Sequence, residues 1–217
     1  MKVERINPAE PEEKILEHAA KLINKGEVIV CPTDTGYAFS ANALDTHAIM
    51  KVFGLKGRAF SNPIHIAVTS IDEAENYAHL TNAARYLAKY YLPGALTLVL
   101  KKRENIPSLL VANMDTVGIR IPNNQVMLKL LVKVGKPLTT TSANVSGKPG
   151  TYAVSEIISQ FGEALQKVPL ILDQGELPGR AHSTIIDLSV NPPELIRQGR
   201  VSWMDIREKL NRLNTSE

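Results

Sequence analysis

The sequence predicts a single domain of the α/β or α+β class, built on a twisted mixed sheet. Segments with helical spacing alternate with short apolar, β-branched segments along the whole chain of 217 residues. A chain of this length can bury one substantial core, and it contains no long linker, low-complexity tract or fixed-period repeat. We therefore place one domain at residues 1–200 and a C-terminal helix and tail at residues 201–217.

Helix caps and apolar runs give the order of elements. The first helix is expected to begin after Asn7, a capping residue, with Pro8 in its first turn, and to end at Gly26. Asp45 and Ser202 are expected to cap later helices. Further helices are predicted at residues 71–77, 81–91, 125–134, near 154–161 and at 202–213. Strands are predicted at residues 28–31, 64–68, 95–100, 116–121, 137–140 and near 170, 185 and 195.

Composition is that of a soluble globular protein. Hydrophobic residues make up 44% of the chain and charged residues 22%, with a net charge of +3. No apolar run approaches the roughly 20 residues that span a bilayer, and the polar start does not resemble a secretory signal. We expect a cytoplasmic protein without membrane association. The single cysteine, Cys31, excludes a disulfide framework and a cysteine-based zinc site, and we expect no protein-built metal site.

Familiar catalytic motifs are absent from the sequence. There is no nucleophile elbow, no Walker motif, no dinucleotide-binding glycine triad and no metal-ligand spacing of histidines. The five histidines are scattered, and each alone is more typical of a surface or hydrogen-bonded residue. Covalent and metal-ligand mechanisms therefore have little support.

Three polar loops follow predicted strands, where open α/β sheets bind ligands. Residues 32–35 offer hydroxyls to a small polar substrate. Residues 56–63 place Lys56 and Arg58 beside a glycine, which suits an anion such as a triphosphate. Residues 139–148 combine small hydroxyls and an amide that can donate to a phosphate or carboxylate. The ordinary alternatives are a turn, a solvated helix end and a linker.

Two arginines stand within apolar strand-like runs, Arg120 in residues 117–122 and Arg197 in residues 195–199. A guanidinium is costly to bury without an anionic partner, so both are candidate ligands for a carboxylate or phosphate. The alternative is an exposed strand face, where arginine is common.

Taken together, these segments resemble the Sua5/YrdC/YciO family of short-type threonylcarbamoyl-AMP synthases. A single segment would be weak support, but the ordered set is specific and covers nearly the whole chain. The matching segments are PTDTGYAFSANA (32–43), LKGRAFSNP (55–63), PGALTLVL (93–100), VGIRIP (117–122), TTTSANVSGKPG (139–150), HSTIID (182–187) and LIRQGR (195–200).

The resemblance implies a YrdC-like fold, an open mixed sheet around a large, concave, positively charged cavity. It implies synthesis of threonylcarbamoyl-AMP and pyrophosphate from L-threonine, bicarbonate or CO2, and ATP, with Mg²⁺ bound through the triphosphate. The product would pass to a downstream threonylcarbamoyl-transferase complex that modifies adenosine 37 of tRNA.

The resemblance also implies roles for individual residues. No protein nucleophile is implied, and Lys56 and Arg58 would position the substrates and stabilise charge. Asn144 would also brace the loop that carries Ser142. The implied threonine contacts are Thr35, Arg120, Thr140 and Ser183. The implied ATP contacts are Lys56, Arg58, Asn62, Thr116, Ser142, Asn144, Gly150 and Arg197.

Several positions depart from the family pattern. The segment from Gly36 to Ser40 reads Gly-Tyr-Ala-Phe-Ser, as in the YciO branch, and Ala59 replaces a proline. A histidine that the family often has nine residues after Arg58 is replaced by Ala67, while His65 lies two residues earlier. The alternative function is therefore a YciO-like relative that binds a nucleotide or RNA with little or no synthase activity.

Two more distant alternatives stay open. Residues 101–103, the cluster Lys-Lys-Arg, could contact tRNA or double-stranded RNA, although such a cluster more often only terminates a strand. A carbamoyl-adenylate step in hydrogenase maturation is a further alternative, which the absence of that system's large flanking domains disfavours.

Overall fold

The computed structural model describes residues 1–178 and 181–214, which form two mixed β-sheets and the helices that cover them. The first sheet contains β1 (Lys2–Arg5), β2 (Ile29–Thr33), β3 (Gly36–Ser40), β8 (Thr141–Ser142) and β9 (Leu170–Asp173). The second contains β4 (Ile66–Ala67), β5 (Leu96–Lys101), β6 (Thr116–Arg120), β7 (Leu138–Thr139), β10 (Thr184–Asp187) and β11 (Glu194–Arg197). The strand order is β1-β9-β2-β3-β8 in the first sheet and β11-β10-β5-β6-β4-β7 in the second.

Side-chain caps begin most of the helices. Asp45 accepts hydrogen bonds from two backbone amides of the helix that follows it, and Ser70, Thr81 and Asn124 each accept one from the helix that follows them. The helices are α1 (Glu13–Asn24), α2 (Thr46–Lys56), α3 (Ile71–Ala74), α4 (Asn82–Tyr91), α5 (Gln125–Val134), α6 (Val154–Phe161) and α7 (Trp203–Asn214). A 3₁₀ helix spans Gly162–Lys167. Among the described residues, no helix is long and apolar enough to cross a bilayer.

The β2–β3 hairpin is the part of the first sheet that carries polar side chains to its tip. The two strands pair antiparallel with Thr33 opposite Gly36, so Asp34 and Thr35 form the turn. Gly36 has a φ of +135°, and a Cβ there would lie 3.1 Å from the carbonyl oxygen of Thr151. Only glycine fits this backbone conformation without strain.

Pairing in the second sheet places Arg120 at a strand end. Strand β4 pairs parallel with β6, with Ala67 opposite Arg120, and β5 pairs antiparallel with β6 on its other side. Strand β10 joins β5 in parallel, which brings the residues just before Thr184 to this region. The buried apolar residues divide into a large cluster containing Phe39, Phe53 and Leu98, and a smaller one beneath α1 and α5.

The α/β class and mixed strand pairing are confirmed, while several local predictions are wrong. The expected single sheet is divided into two. Helix α1 begins at Glu13, and Asn7 instead accepts hydrogen bonds from the amides of Ala9 and Glu10 in a preceding turn. Strands β1 and β3 were not predicted, because the first is short and polar and the second follows turn-forming residues. Strand β8 lies within residues 139–148, which the sequence predicts as a polar loop.

The C-terminal helix is confirmed, with Ser202 accepting from the amide of Asp205 at 3.4 Å. Its residues Ile206 and Leu210 are buried in the large apolar cluster. The helix therefore packs on the same core as the rest of the chain. Residues 215–217 of the predicted tail lie outside the described residues.

Helix α5 offers a direct test of the smaller apolar cluster. Leu131 is buried there, whereas its neighbour Val132 is 70% exposed. We expect Leu131→Ala to lower the free energy of unfolding by about 2–5 kcal/mol, because it leaves a cavity. Val132→Ala should change it by less than about 0.5 kcal/mol. Urea unfolding measures both, and equal effects would contradict the assignment of the buried face.

Candidate functional site

A polar cleft lies where the β2–β3 hairpin tip meets the end of β6 and the segment before β10. Thr35 contributes from the hairpin, Arg120 from β6 and Ser183 from the segment before β10. The remaining lining residues come from the hairpin, the segment between α2 and β4, residues 140–142, the segment before β10 and strand β11. They are Thr33, Gly36, Tyr37, Ala38, Arg58, Pro63, Ile64, His65, Thr140, Thr141, Ser142, His182 and Arg197. The resemblance also implies that the cavity is large and positively charged, and both properties stay predictions.

Arg120 is the most buried cation of this cleft, at 5% exposure. Its Nη1 donates to Thr35 Oγ1 at 2.7 Å, and its Nη2 donates to Asp34 Oδ1 at 2.6 Å. Its Nε is buried and has no hydrogen-bond partner. Burial lowers the pKa of Arg120, and the Asp34 carboxylate opposes that shift. An unpartnered donor on a buried guanidinium leaves the site ready for an anionic acceptor.

Arg197 and Ser183 form a second hydrogen-bonded group in the cleft lining. Arg197 donates from Nε and Nη2 to the carbonyl oxygen of Ser183, at 3.2 and 2.9 Å, and from Nη2 to Ser183 Oγ at 3.1 Å. The hydroxyls of Ser183 and Thr97 are 2.9 Å apart. Burial and the nearby charge of Arg120 lower the pKa of Arg197. The guanidinium of Arg120 is therefore close enough to disfavour the charge of Arg197.

Arg58 supplies the third cation, from the loop after α2. Its Nε donates to the carbonyl oxygen of Asn62 at 3.0 Å, and its Nη2 donates to that of Pro63 at 2.9 Å. Burial lowers its pKa. The loop follows a helix, not a strand as the sequence predicts, and Gly57 ends that helix in the left-handed conformation at φ +59°.

Lys56 lies behind the cleft wall instead of on it. The side chain is 2% exposed, and its Nζ donates to the carbonyl oxygens of Ser142 and Asn144 and, at 3.1 Å, to Asn144 Oδ1. Burial and the charge of Arg58 lower the pKa of Lys56 to about 7. The position of Lys56 supports a role in holding the loop and does not place it among the cleft-lining residues. A direct contact of Lys56 with ATP stays a prediction.

Asn144 braces the loop that carries Ser142, as predicted. Its Oδ1 accepts from Ser142 Oγ, and its Nδ2 donates to the carbonyl oxygens of Val145 at 3.0 Å and Lys148 at 2.6 Å. Asn144 is itself buried, so its amide fixes the loop from inside. Ser142 and Thr140 face the cleft from this braced segment.

His65 enters the cleft from the residue just before β4. Its ring lies against Gly118 of β6, where an added Cβ would be 2.4 Å from the ring atom Cδ2. Burial lowers the pKa of His65 to about 4, and the charges of Arg197, Arg58 and Arg120 add to the shift. The imidazole is therefore neutral at neutral pH. Ala67, which stands where the family often has histidine, is fully buried in the smaller apolar cluster and does not line the cleft.

Besides Lys56 and Asn144, three further predicted contacts lie outside the lining. Thr116 begins β6 opposite Lys101, four residues before Arg120 and thus about 13 Å from it along the strand, so it is not brought to this cleft. The side chain of Asn62 is exposed, and its backbone carbonyl holds Arg58. Gly150 lies at the rim, where a Cβ would be 3.2 Å from His182 Cε1. Nucleotide contacts by Thr116, Asn62 and Gly150 stay predictions.

The structure adds residues that the sequence did not single out as site residues. Asp34 is the anionic partner of Arg120, and Gly118 makes room for the His65 ring. Tyr37 lines the cleft and donates from its hydroxyl to the carbonyl oxygen of Gly175 at 2.7 Å. A glycine inside a strand often marks a place where another group approaches the backbone closely, so the sequence itself indicates a contact at Gly118. No local sequence pattern indicates that Asp34 pairs with Arg120.

The basic cluster at residues 101–103 is engaged in local contacts. Lys101 pairs with Asp115 at 2.5 Å, and Arg103 donates to the carbonyl oxygen of Glu75 at 2.6 Å. These contacts favour the interpretation that the cluster ends a strand over the interpretation that it binds RNA. Elsewhere in the described chain, no group of three or more histidine, cysteine, aspartate or glutamate residues could hold a metal ion.

Comparison with known proteins identifies relatives of the whole fold. A family model for Sua5, YciO and YrdC, described as "Telomere recombination", matches residues 21–199. A threonylcarbamoyl-AMP synthase of Pyrococcus abyssi is 36% identical over 93% of this chain and 59% of its own length. A candidate threonylcarbamoyl-AMP synthase of Methanocaldococcus jannaschii is 39% identical, with 92% of both chains covered.

Solved structures agree with the sequence comparison. The crystal structure of Pyrococcus abyssi Sua5 with L-threonine matches at a TM-score of 0.91 and 34% identity, over 97% of this chain and 61% of that one. The crystal structure of Escherichia coli YciO matches at a TM-score of 0.83 and 28% identity, over 93% and 97%. The chain thus spans about three fifths of the Pyrococcus protein and nearly all of YciO.

The contact between His65 and Gly118 can be tested by a double-mutant cycle. We expect Gly118→Ala to lower the free energy of unfolding by about 1–3 kcal/mol, because the new methyl group displaces the ring. In a His65→Ala background, the same change should cost less than about half as much. Gly54→Ala on α2, where nothing lies within 4 Å, should be neutral or stabilising. Equal costs in both backgrounds would contradict the contact.

The depressed pKa of His65 predicts a specific pH dependence of stability. Between its ordinary pKa of 6.5 and about 4, the unfolded chain binds a proton that the folded chain does not. The free energy of unfolding therefore falls as the pH falls through this window, by about 2 kcal/mol between about pH 7 and 4.5. The His65→Phe variant should not show this part of the loss in the free energy of unfolding. Urea unfolding at about pH 7 and about pH 4.5 measures the difference from the wild type. His47→Phe, at an exposed histidine, should behave like the wild type.

Proposed function

Because the chain belongs to the Sua5/YciO/YrdC family, we propose that it is a threonylcarbamoyl-AMP synthase that uses L-threonine, bicarbonate or CO2, and ATP. The observation that carries the proposal is the buried guanidinium of Arg120, which has a free Nε donor in a cleft with two further arginines. A relative of the same fold has been crystallised with L-threonine. The cleft's chemistry suits that amino acid and a nucleotide.

The threonine end of the proposed site is built around Arg120. A carboxylate is a planar acceptor that matches the fork of a guanidinium, which a lysine would not provide. Thr35 and Asp34 hold two of the guanidinium nitrogens at 2.7 and 2.6 Å, so its orientation is set before substrate binds. Thr140 and Ser183 line the same cleft and complete the proposed threonine pocket.

The nucleotide end is proposed to lie at Arg58, Arg197 and the loop carrying Ser142. The guanidinium groups offer charge to the triphosphate, and Lys56 and Asn144 fix the loop from behind. Mg²⁺ is proposed to enter with ATP, bound by the triphosphate oxygens that it prefers. Lys56 then acts by holding the loop, so its contribution to the reaction is positional.

The proposed reaction needs positioning and charge neutralisation, not a protein nucleophile. The neutral amine of threonine attacks the carbon of CO2, a C–N bond forms, the carbonyl electron pair moves to oxygen, and the nitrogen loses a proton. A carbamate oxygen then attacks the α-phosphorus of ATP, and pyrophosphate leaves with the electron pair of the broken P–O bond. The arginines neutralise the negative charge that develops in both steps.

The product, a mixed anhydride, is proposed to be consumed by a transferase complex that acts on tRNA. An acyl-adenylate reacts readily with water, so it has to be passed to an acceptor soon after it forms. We propose that this transfer takes place in the cytoplasm. A contact of this chain with the tRNA itself has no support from residues 101–103, whose cations are engaged locally.

Kinetics with purified protein test the proposal. With ATP, Mg²⁺ and bicarbonate, pyrophosphate release should depend on L-threonine. We expect Arg120→Lys to raise the KM for threonine by about 30-fold or more, since one point charge replaces a fork of donors, and to change the KM for ATP little. Arg58→Ala should chiefly weaken the use of ATP. Arg207→Ala, on the exposed face of α7, should leave both unchanged.

The outcomes separate the main proposal from its alternative. Nucleotide binding without threonine-dependent pyrophosphate would contradict the synthase function and favour a YciO-like binder. Equal effects of Arg120→Lys on both substrates would contradict the assignment of Arg120 to threonine, while leaving the reaction itself intact.

A further inference from the structure

A groove separate from the cleft of Arg120 passes Thr69, between helices α4 and α5. It consists of two hollows, one against α4 and one against α5, and Thr69 lines both. Among the described residues, none lines both this groove and the cleft. We call it the Thr69 groove. Its apolar floor consists of Ile71, Ala88, Leu92, Ile121, Leu128 and Val132.

The floor of the Thr69 groove leaves apolar surface open to solvent. Ile121 and Ala88 are buried, whereas Val132 is 70% exposed. The two hollows have volumes of about 490 and 390 Å³, and a cavity of about 150 Å³ already holds a benzene ring. Each hollow can therefore accept a large apolar side chain. An exposed apolar patch with a polar rim is typical of a protein contact.

In the described part of the chain, the backbone beside the groove offers no free strand edge. Strand β4, which ends just before Thr69, is paired with β6 on one side and β7 on the other. The amide of Thr69 donates to Glu73 Oε2 at 2.7 Å. The amide of Gly94 donates to the carbonyl oxygen of Ile121 at 2.8 Å. A partner therefore has to be recognised through side chains, as when an amphipathic helix lies in a groove.

The cations of the groove outnumber its carboxylates. Four cations and two carboxylates line it, and two of the cations are held in ion pairs. The pairs are Asp72 and Glu75 with Arg85, and Glu13 and Glu17 with Lys133. Lys89 in the α4 hollow and Lys129 in the α5 hollow are exposed and form no ion pair within the described residues. The groove thus combines an apolar floor with one unpaired cation in each hollow.

We propose that the Thr69 groove is a docking site for an acidic amphipathic helix of a partner protein. Apolar side chains at helical spacing fill the two hollows, and carboxylates beside them face Lys89 and Lys129. The concave shape favours a helix over a bilayer surface, because a flat bilayer does not fill a hollow. This inference goes beyond the proposed function and does not depend on it, since the groove and the cleft have separate linings.

The test uses two synthetic helical peptides of about 18 residues, long enough to be helical in water when rich in alanine. Both carry leucines spaced three and four residues apart. One has glutamates beside the leucines and the other has lysines at the same positions. Fluorescence anisotropy with the full chain measures both Kd values. The glutamate peptide should bind the wild type at least about tenfold more tightly, and its binding should weaken as NaCl is raised.

Charge reversal in the groove should change this preference. In the double variant Lys89→Glu/Lys129→Glu, the glutamate peptide should bind about tenfold more weakly and the lysine peptide more tightly, because attraction becomes repulsion. The matched control is Lys25→Glu/Lys167→Glu, two exposed lysines outside the groove lining that give the same net charge. It should bind both peptides within about twofold of the wild type.

A second variant tests the apolar floor. Val132→Asp places a carboxylate in the α5 hollow and should weaken binding of the glutamate peptide by about tenfold. Ile158→Asp, at another exposed apolar residue, should change it by less than about twofold, because Ile158 does not line the groove. All the substituted side chains are exposed, and urea unfolding checks that each variant is as stable as the wild type.

Cross-linking locates the peptide in the wild type, independently of any variant. A glutamate peptide that carries benzophenone should cross-link to α4 or α5. Equal binding of the two peptides, equal effects of the groove and control variants, or cross-links confined to other elements would overturn the proposal.

Two further measurements examine other occupants of the groove. Sedimentation velocity reports self-association, and flotation with anionic phospholipid vesicles reports membrane binding. Either one, if abolished by Val132→Asp in a protein that does not prefer the glutamate peptide, would overturn the proposal. None of these experiments uses threonine or ATP, so their outcome is distinct from success or failure of the synthase reaction.

Discussion

The ion pair between Arg120 and Asp34 links the two sheets at the point where the cleft opens. Arg120 ends β6 of the second sheet and Asp34 lies at the hairpin tip of the first, and their side chains are 6% and 11% exposed. Separating either charge from its partner would leave it desolvated and unpaired, which is far more costly than breaking a surface pair. The hairpin tip and the end of β6 therefore have to stay in register with each other.

Much of the site depends on this junction. With two guanidinium nitrogens committed to Asp34 and Thr35, the third, Nε, is buried without a hydrogen-bond partner. The hairpin can hold its tip there because Gly36 adopts a φ of +135° against the backbone of Thr151. The other wall is held separately, by the hydrogen bonds of Lys56 and Asn144 to the loop carrying Ser142. Supports of this kind hold the cationic groups of the cleft in fixed positions.

The departures from the family pattern gather around one part of the cleft. Ala67 turns into an apolar cluster, and His65 takes a cleft position that is open to it because residue 118 is glycine. Ala38, another departure, lines the cleft as well. The fold around this wall is similar both to Pyrococcus abyssi Sua5 and to Escherichia coli YciO.

The sequence by itself determined the elements and motifs whose signals are local. Asp45 and Ser202 cap helices as predicted, the apolar runs at β2 and β5 form strands, and Arg120 lies at a strand end. Asn144 braces its loop, as the resemblance implied. These features follow from side chains acting on their own backbone or on a strand's neighbours, so short-range pattern is enough to find them.

Tertiary structure decided which of the candidate residues meet. It turned Lys56 inward and left Arg58 on the wall, although they are two residues apart, because Gly57 reverses the chain at the end of α2. It placed Thr116 and Arg120 at opposite ends of one strand, and it paired Arg120 with Asp34 across 86 positions of sequence. Strand register and burial set these relations, and both depend on distant parts of the chain that no local pattern records.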